Sequence, residues 1–221
     1  MGNSSSSSDL QDEAEKVGYR VLGIQPNSPA SAIGLVSFLD FIVSANGVPL
    51  TTLDNTFIEL IKASEDKPLP LKVYNCKSKS FRDLVLIPSR NWPGEGMLGV
   101  TIRFDSYHNA EEHLCHVTDV DADSPAELAG LVADSDFLLG TLEKVFKTPE
   151  ILFDELKENV NSPIDFYVYN SESDDVRVCV VMPSSDWGGE GLLGAGVASG
   201  LLHALPSSCT GTNGRYFVRS L

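Results

Sequence analysis

The chain has 221 residues, 16 Lys+Arg against 31 Asp+Glu, a formal net charge of −15 and a hydrophobic content of 42%. That length suits one large domain or two small ones, and the apolar content is that of a chain that folds. Residues 1–105 hold 10 basic and 12 acidic side chains, net −2, while 106–221 hold 6 and 19, net −13, which argues against nucleic acid as a partner.

No stretch approaches the roughly 18 apolar residues of a membrane span, and no apolar run after Met1 marks a secretory signal. Cys76, Cys115, Cys179 and Cys209 are scattered without a C-x-x-C pair, the pattern of reduced thiols in a cytosolic protein. Met1-Gly2-Asn3-Ser4-Ser5-Ser6 fits M-G-x-x-x-[ST], so residues 1–15 are expected to be an unstructured segment myristoylated on Gly2. One myristoyl chain binds a bilayer with an association constant of only about 10⁴ M⁻¹. Asp9, Asp12, Glu13 and Glu15 outnumber Lys16 and Arg20, so a polybasic second anchor is missing and a membrane-bound protein partner is the simplest replacement.

The body is a duplication. Ser28-Pro29-Ala30 through Gly34-Leu35-Val36 returns 96 residues later as Ser124-Pro125-Ala126 through Gly130-Leu131-Val132, with 8 identities in 15 positions counted to Ile42. Val73-Tyr74-Asn75 pairs with Val168-Tyr169-Asn170 at offset 95, and Pro88 to Val100 pairs with Pro183 to Ala195 with 8 identities in 13. Collinear blocks at nearly one offset predict two domains, 16–107 and 108–206, followed by a short flexible tail, 207–221. Each copy opens on an apolar strand (Tyr19 to Ile24; Leu114 to Val120) and a Ser-Pro-Ala turn of helix closing on Gly-Leu. Asp40 to Ala45 predicts a strand entering the Asn46-Gly47 turn. A helix follows, Asp54 to Ala63 or Thr148 to Val160. Two β-rich runs come next, Leu69 to Asn75 with Phe81 to Pro88, and Ile164 to Asn170 with Val176 to Pro183. A tryptophan, a glycine loop and a last strand end each copy. The expectation is a mainly β fold with short helices (α+β), made twice.

Gly94-Glu95-Gly96-Met97-Leu98-Gly99 and Gly189-Glu190-Gly191-Leu192-Leu193-Gly194 formally match G-x-G-x-x-G. A dinucleotide site needs such a loop to open a helix, whereas Val100 to Phe104 alternates like a strand, and the internal glutamate repels phosphate. A plain turn is one alternative. Peptide binding is the other: the loop presents backbone N–H groups, the next strand offers an edge, and the helix forms the far wall.

On these residues each copy resembles a PDZ domain, with Leu98-Gly99-Val100 as ligand loop; because the loop comes last in each copy, the two look circularly permuted. Two such copies behind Met-Gly resemble the Golgi reassembly and stacking proteins, GRASP. The likeness spans residues 16–206 and rests on Gly18-Tyr19-Arg20-Val21-Leu22, Asp40-Phe41-Ile42-Val43-Ser44, Trp92 to Val100, Trp187-Gly188-Gly189-Glu190-Gly191 and Leu202-His203-Ala204-Leu205-Pro206. The resemblance implies a non-enzymatic, cofactor-free, lipid-anchored tether on the cytosolic face of the Golgi. It would associate with itself and bind golgin-type coiled-coil proteins or cargo C-termini. It also implies a first groove of Leu60, Ile61, Leu98, Gly99, Val100 and Ile102, and a second ligand loop of Leu193, Gly194 and Ala195. Leu201, Leu202, His203, Leu205 and Pro206 would form an internal ligand for a neighbour's first groove. Where some members share a zinc with a golgin through histidine and cysteine, this chain has Arg20 and Asp105, so no metal is expected there.

No catalytic constellation stands out. His113 and His116 fall on opposite faces of a strand and read as solvated or packed, and His203 reads as packing or interface. Asp119 to Asp123 lacks the glycine and terminal glutamate of a calcium loop. A soluble PDZ adaptor in secretion, without stacking activity, is the rival reading.

Overall fold

A computed structural model describes residues 16–112 and 114–216; Gly2 and His113 lie outside them. The first half contains β1 (Val17–Ile24), β2 (Asp40–Ala45), β3 (Val48–Pro49), α1 (Thr56–Ala63), β4 (Leu69–Asn75), β5 (Ser80–Leu86) and β6 (Val100–Ser106). The second contains β7 (Cys115–Val120), the single-turn α2 (Pro125–Leu128), β8 (Asp136–Gly140), α3 (Pro149–Glu158), β9 (Ile164–Asn170), β10 (Asp175–Val181) and β11 (Ala195–Ala198), with β12 (Arg215–Tyr216) beyond it. The strands form two sheets, ordered β5-β4-β2-β1-β6 with β3 on β2, and β11-β7-β8-β9-β10-β12. Among the described residues the strand after each glycine loop, β6 or β11, is an edge of its sheet, with one rail of backbone groups facing away from the neighbouring strand. No helix among the described residues is long and apolar enough to cross a membrane.

Helix α1 starts two residues later than expected because the Asp54 carboxylate accepts the Thr56 N–H at 2.8 Å and the Thr52 hydroxyl at 2.6 Å, holding residues 52–55 as a turn before the helix. The Asn46-Gly47 turn appears as expected, both residues having positive φ.

Period-two alternation decides which side chain faces what. In the first sheet Tyr19, Val21, Ile42, Leu71 and Val73 enter a core shared with Phe57 and Ile61 of α1. The intervening residues Leu22 and Phe41 enter a different core, joined by Phe38, Leu39 and Cys76. The second sheet does the same: Phe166 and Val168 pack with Leu152 and Leu156 of α3, while Tyr167 and Tyr169 face the other way and meet Phe38, Leu39 and Phe41. Both sheets therefore bury both faces, and the shared apolar layer between them binds the two copies together. Polar contacts line its margin: Lys147 Nζ lies 2.8 Å from Asp105, and Lys79 Nζ 2.8 Å from Glu111.

The expectation of a flexible 207–221 tail fails over residues 207–216. Lys77 is fully buried and donates through Nζ to the Cys209 carbonyl, to Thr212 Oγ1 at 2.9 Å and to Asp174 at 2.9 Å. Asn75 Nδ2 donates to the Asn213 carbonyl at 3.1 Å, and β12 pairs in parallel with β10. Composition made this Ser/Thr/Gly-rich segment look like loop; distant partners order it, Asn75 and Lys77 in the first copy and Asp174 and β10 in the second.

All four cysteines are buried and free. Burial pushes the Cys76 and Cys115 thiols up to about 12 and raises Cys179 as well. Thiolate, the reactive form, is then scarce, so at pH 8 the native thiols of Cys76 and Cys115 should react with an aromatic disulfide reagent on the order of a thousandfold more slowly than in the unfolded chain. Fast labelling of either in native buffer would contradict this packing.

Candidate peptide-binding grooves

Each groove begins with a braced loop. Trp92 Nε1 donates to the Gly96 carbonyl at 3.0 Å, and Trp187 Nε1 to the Gly191 carbonyl at 3.1 Å. The loop is then pressed onto the Ser-Pro-Ala turn. A Cβ at Gly99 would stand 2.2 Å from Ser28 Cβ, and one at Gly194 2.3 Å from Ser124 Cβ; both glycines also have positive φ. Glycine is required twice over at each site, by contact and by backbone conformation.

The carbonyls of the loop are tied inward. Leu98 O accepts from Ala30 N at 3.0 Å and Gly99 O from Gln25 N at 2.8 Å; Leu193 O accepts from Ala126 N and Gly194 O from Asp121 N, each at 2.9 Å. In a trans peptide the N–H points opposite to the preceding C=O. Anchoring these carbonyls therefore turns the amides of Gly99 and Val100, and of Gly194 and Ala195, to the outer side of the loop. Two adjacent donors at the mouth of a groove suit a carboxylate or a peptide carbonyl.

Opposite the first loop, α1 offers Ile58, Ile61 and Lys62, enclosing with Gln25 and Glu95 to Val100 a cavity of about 280 Å³. The structure brings together Ile61, Leu98, Gly99 and Val100. Leu60 and Ile102 instead pack against the first core. Ile58, Lys62 and Met97 line the cavity without having been foreseen. The helical period accounts for the difference: Phe57 and Ile61 anchor α1 to the core, and the cavity is lined by the neighbouring stripe at Ile58, Ile61 and Lys62.

The second groove places Leu193, Gly194 and Ala195 together with Leu192, Gly196, Phe153, Leu156 and Lys157 around about 440 Å³, rimmed by Asp119, Asp121 and Glu190. Its smaller strand residues, alanine and glycine where the first copy has Val100 and Thr101, leave more room. The grooves supply main-chain donors and apolar walls, the chemistry of binding.

In the 201–206 segment, Leu201 and Leu202 are 83% and 96% exposed. His203 instead turns back: its Nδ1 lies 3.3 Å from Nδ1 of His116, whose ring stacks on Phe137. Leu205 packs on the inter-copy core and the Pro206 carbonyl accepts from Cys209 N. Arg20 Nε lies 3.2 Å from Asp105 Oδ2, with the guanidinium 4.5 Å over the Phe41 ring, so this position is an ion pair within the packed interior. Among the described residues no group of three or more His, Cys, Asp or Glu is placed to hold a metal.

Comparison with known proteins agrees with this architecture. The family model for the GRASP55/65 PDZ-like domain matches twice, over residues 2–100 and 71–208. The chain is 40% identical to Golgi reassembly-stacking protein 1 of Mus musculus over 190 residues, and 38% identical to that of Homo sapiens over 190 residues. Each alignment covers 86% of this chain but only 42% and 43% of the relative, so the chain spans less than half the length of these mammalian proteins. An uncharacterized protein of Schizosaccharomyces pombe is 30% identical over 202 residues, 91% of this chain and 57% of that one. Two PDZ-like domains in tandem, each ending in a braced glycine loop and an edge strand, place this chain in the GRASP55/65 family.

Proposed function

We propose that this chain is a non-enzymatic tether and scaffold on the cytosolic face of the Golgi. Myristate on Gly2 would supply one membrane contact and a golgin-type partner or a cargo C-terminus the second. Self-association in trans would run through the first groove. The observation that carries this reading is the pairing, in one chain, of an open groove with exposed Ile58 at its wall and an exposed Leu201–Leu202 pair elsewhere on the surface. Such a patch and groove are mutually complementary between copies, and weak contacts gain strength when many copies are held on facing membranes.

The test is clustering of beads that carry the chain oriented through its N-terminus. Gly99→Asp is a poor probe because any Cβ there meets Ser28. Ile58 is 50% exposed, so Ile58→Asp alters the groove wall and leaves the core intact. Wild-type beads should cluster and Ile58→Asp beads should stay dispersed. Clustering that survives Ile58→Asp would remove the first groove from the mechanism, and dispersed wild-type beads bearing folded monomer would favour the soluble adaptor. With co-expressed myristoyltransferase, Gly2→Ala should abolish flotation on liposomes.

A further inference from the structure

The two grooves share a backbone design and differ in charge. The first has one cation and one anion at its margin, Lys62 and Glu95. The second has Asp119, Asp121 and Glu190 against Lys157. Lys157 is already engaged, its Nζ 3.1 Å from Asp154. None of the three rim acids is in an ion pair with a described residue. Asp119 keeps its charge close to the groove edge: its Oδ1 accepts the Gly196 N–H at 3.1 Å, and Gly196 lies opposite it in the β11–β7 register. Asp121 sits beside the ligand loop, since its own N–H holds the Gly194 carbonyl.

We infer, resting on the groove reading above, that the second groove takes a basic, extended segment of a partner protein and does not require a free terminal carboxylate. A strand added to β11 places an apolar side chain over Leu156, Leu193 and the 42% exposed ring of Phe153. Successive residues rise about 3.3 Å, so a side chain roughly two positions along from the anchor passes Gly196 and meets Asp119. Lysine or arginine there gains an anion that has hydrogen bonds from Gly196 N and Thr118 Oγ1 but no ion-pair partner among the described residues; glutamate is repelled. The same rim works against a terminal carboxylate, because the loop amides that would bind it lie beside Asp121 and Glu190. A neutral main-chain carbonyl uses those amides without that repulsion. The surrounding half of the chain, net −13 against −2 for residues 1–105, adds a long-range attraction for basic partners.

The experiment uses the full chain carrying Ile58→Asp, which silences the first groove, and fluorescent decapeptides with one leucine anchor read by anisotropy. The peptides carry either lysines or glutamates upstream, each with a free or an amidated C-terminus. The lysine peptide should bind about tenfold or more tightly than the glutamate peptide at low salt, with the gap shrinking at high salt. Amidation should change its affinity by no more than about twofold. In Asp119→Asn/Glu190→Gln, where the introduced amide oxygen still accepts the Gly196 N–H, the preference should collapse. Phe153→Ala keeps the charge and should weaken the lysine peptide about fivefold or more.

Equal affinity for both peptides, or a loss above tenfold on amidation, overturns the inference while the groove stands. Lysine-peptide binding untouched by Phe153→Ala marks diffuse attraction to an acidic surface and also overturns it. No binding by any peptide removes the second groove itself.

Discussion

Arg82→Met should lower the unfolding free energy by about 3–5 kcal/mol, the loss expected when one partner of a buried ion pair is removed. Asp40 is fully buried, and Arg82 grips it with Nη1 at 2.8 Å and Nη2 at 2.5 Å. Asn75 Nδ2 and Val36 N donate to the same carboxylate at 2.7 Å each, and Arg82 Nη2 also donates to the Gly34 carbonyl at 3.0 Å. The cluster fastens the Ser-Pro-Ala…Gly-Leu turn to the sheet, and that turn is what Gly99 rests on. Without the guanidinium a buried carboxylate is left with neutral donors only. Burial is the largest influence on this carboxyl and pushes its pKa up, so in Arg82→Met the folded state takes up a proton more readily than the unfolded one. A raised folded pKa means stability falls as pH rises through it, so the deficit should be larger at pH 8 than at pH 5. Urea unfolding at the two pH values checks this, with Asp40→Asn/Arg82→Met expected to recover part of the loss. Arg90, 65% exposed and paired with Glu65, is the control, since exposed pairs contribute about 0–1 kcal/mol. The second copy repeats the device: Arg177 donates to Asp136 and to the Gly130 carbonyl, Asn170 Nδ2 donates to the same Asp136 carboxylate, and Arg177→Met should behave alike.

The duplicated polar clusters show what the sequence could disclose. Asp40, Asn75, Gly34 and Val36 recur at nearly one offset, so the duplication and its strands are legible in the sequence alone. The glycine of each Leu-Gly pair was legible as loop, but its reason was not. Contact with Ser28 or Ser124, about 70 residues away, is a tertiary fact. The groove wall was half legible: an eight-residue helix gives too few turns to separate the core stripe at Phe57 and Ile61 from the adjacent stripe at Ile58 and Lys62. The His116–His203 contact and the Lys77 network on Cys209 and Thr212 left no local trace. Spacing rules describe neighbours along one element, and these pairs join elements far apart in sequence that only the tertiary fold brings together.

The layer between the copies decides whether the two grooves keep a fixed relation. Phe38 is its most telling residue. It is 1% exposed, its ring centroid is 5.0 Å from that of Tyr167, and its backbone holds φ of +65°, a costly conformation for a bulky side chain. That conformation persists because Phe38 N donates to the Val21 carbonyl at 2.6 Å while the ring is clamped between the sheets. Phe38→Ala should cost about 3–5 kcal/mol, the loss for truncating a buried aromatic side chain. Phe38→Gly opens a slightly larger hole but relieves the positive φ, so it should be no less stable than Phe38→Ala, reversing the usual penalty of glycine. Finding Phe38→Gly markedly less stable would show that the backbone is not strained there. In the wild type, tyrosine and tryptophan fluorescence and far-ultraviolet circular dichroism should report one coincident urea transition. In Phe38→Ala the transitions should separate, because each sheet keeps its own helix-covered core and loses only the shared one. A single coincident transition shifted by less than about 1 kcal/mol would mean that Phe38 contributes little to the coupling between the copies. Under the proposed tethering role, a copy whose grooves move independently would still bind a peptide in one groove, but would lose the fixed geometry that one partner or one neighbouring copy needs to engage both.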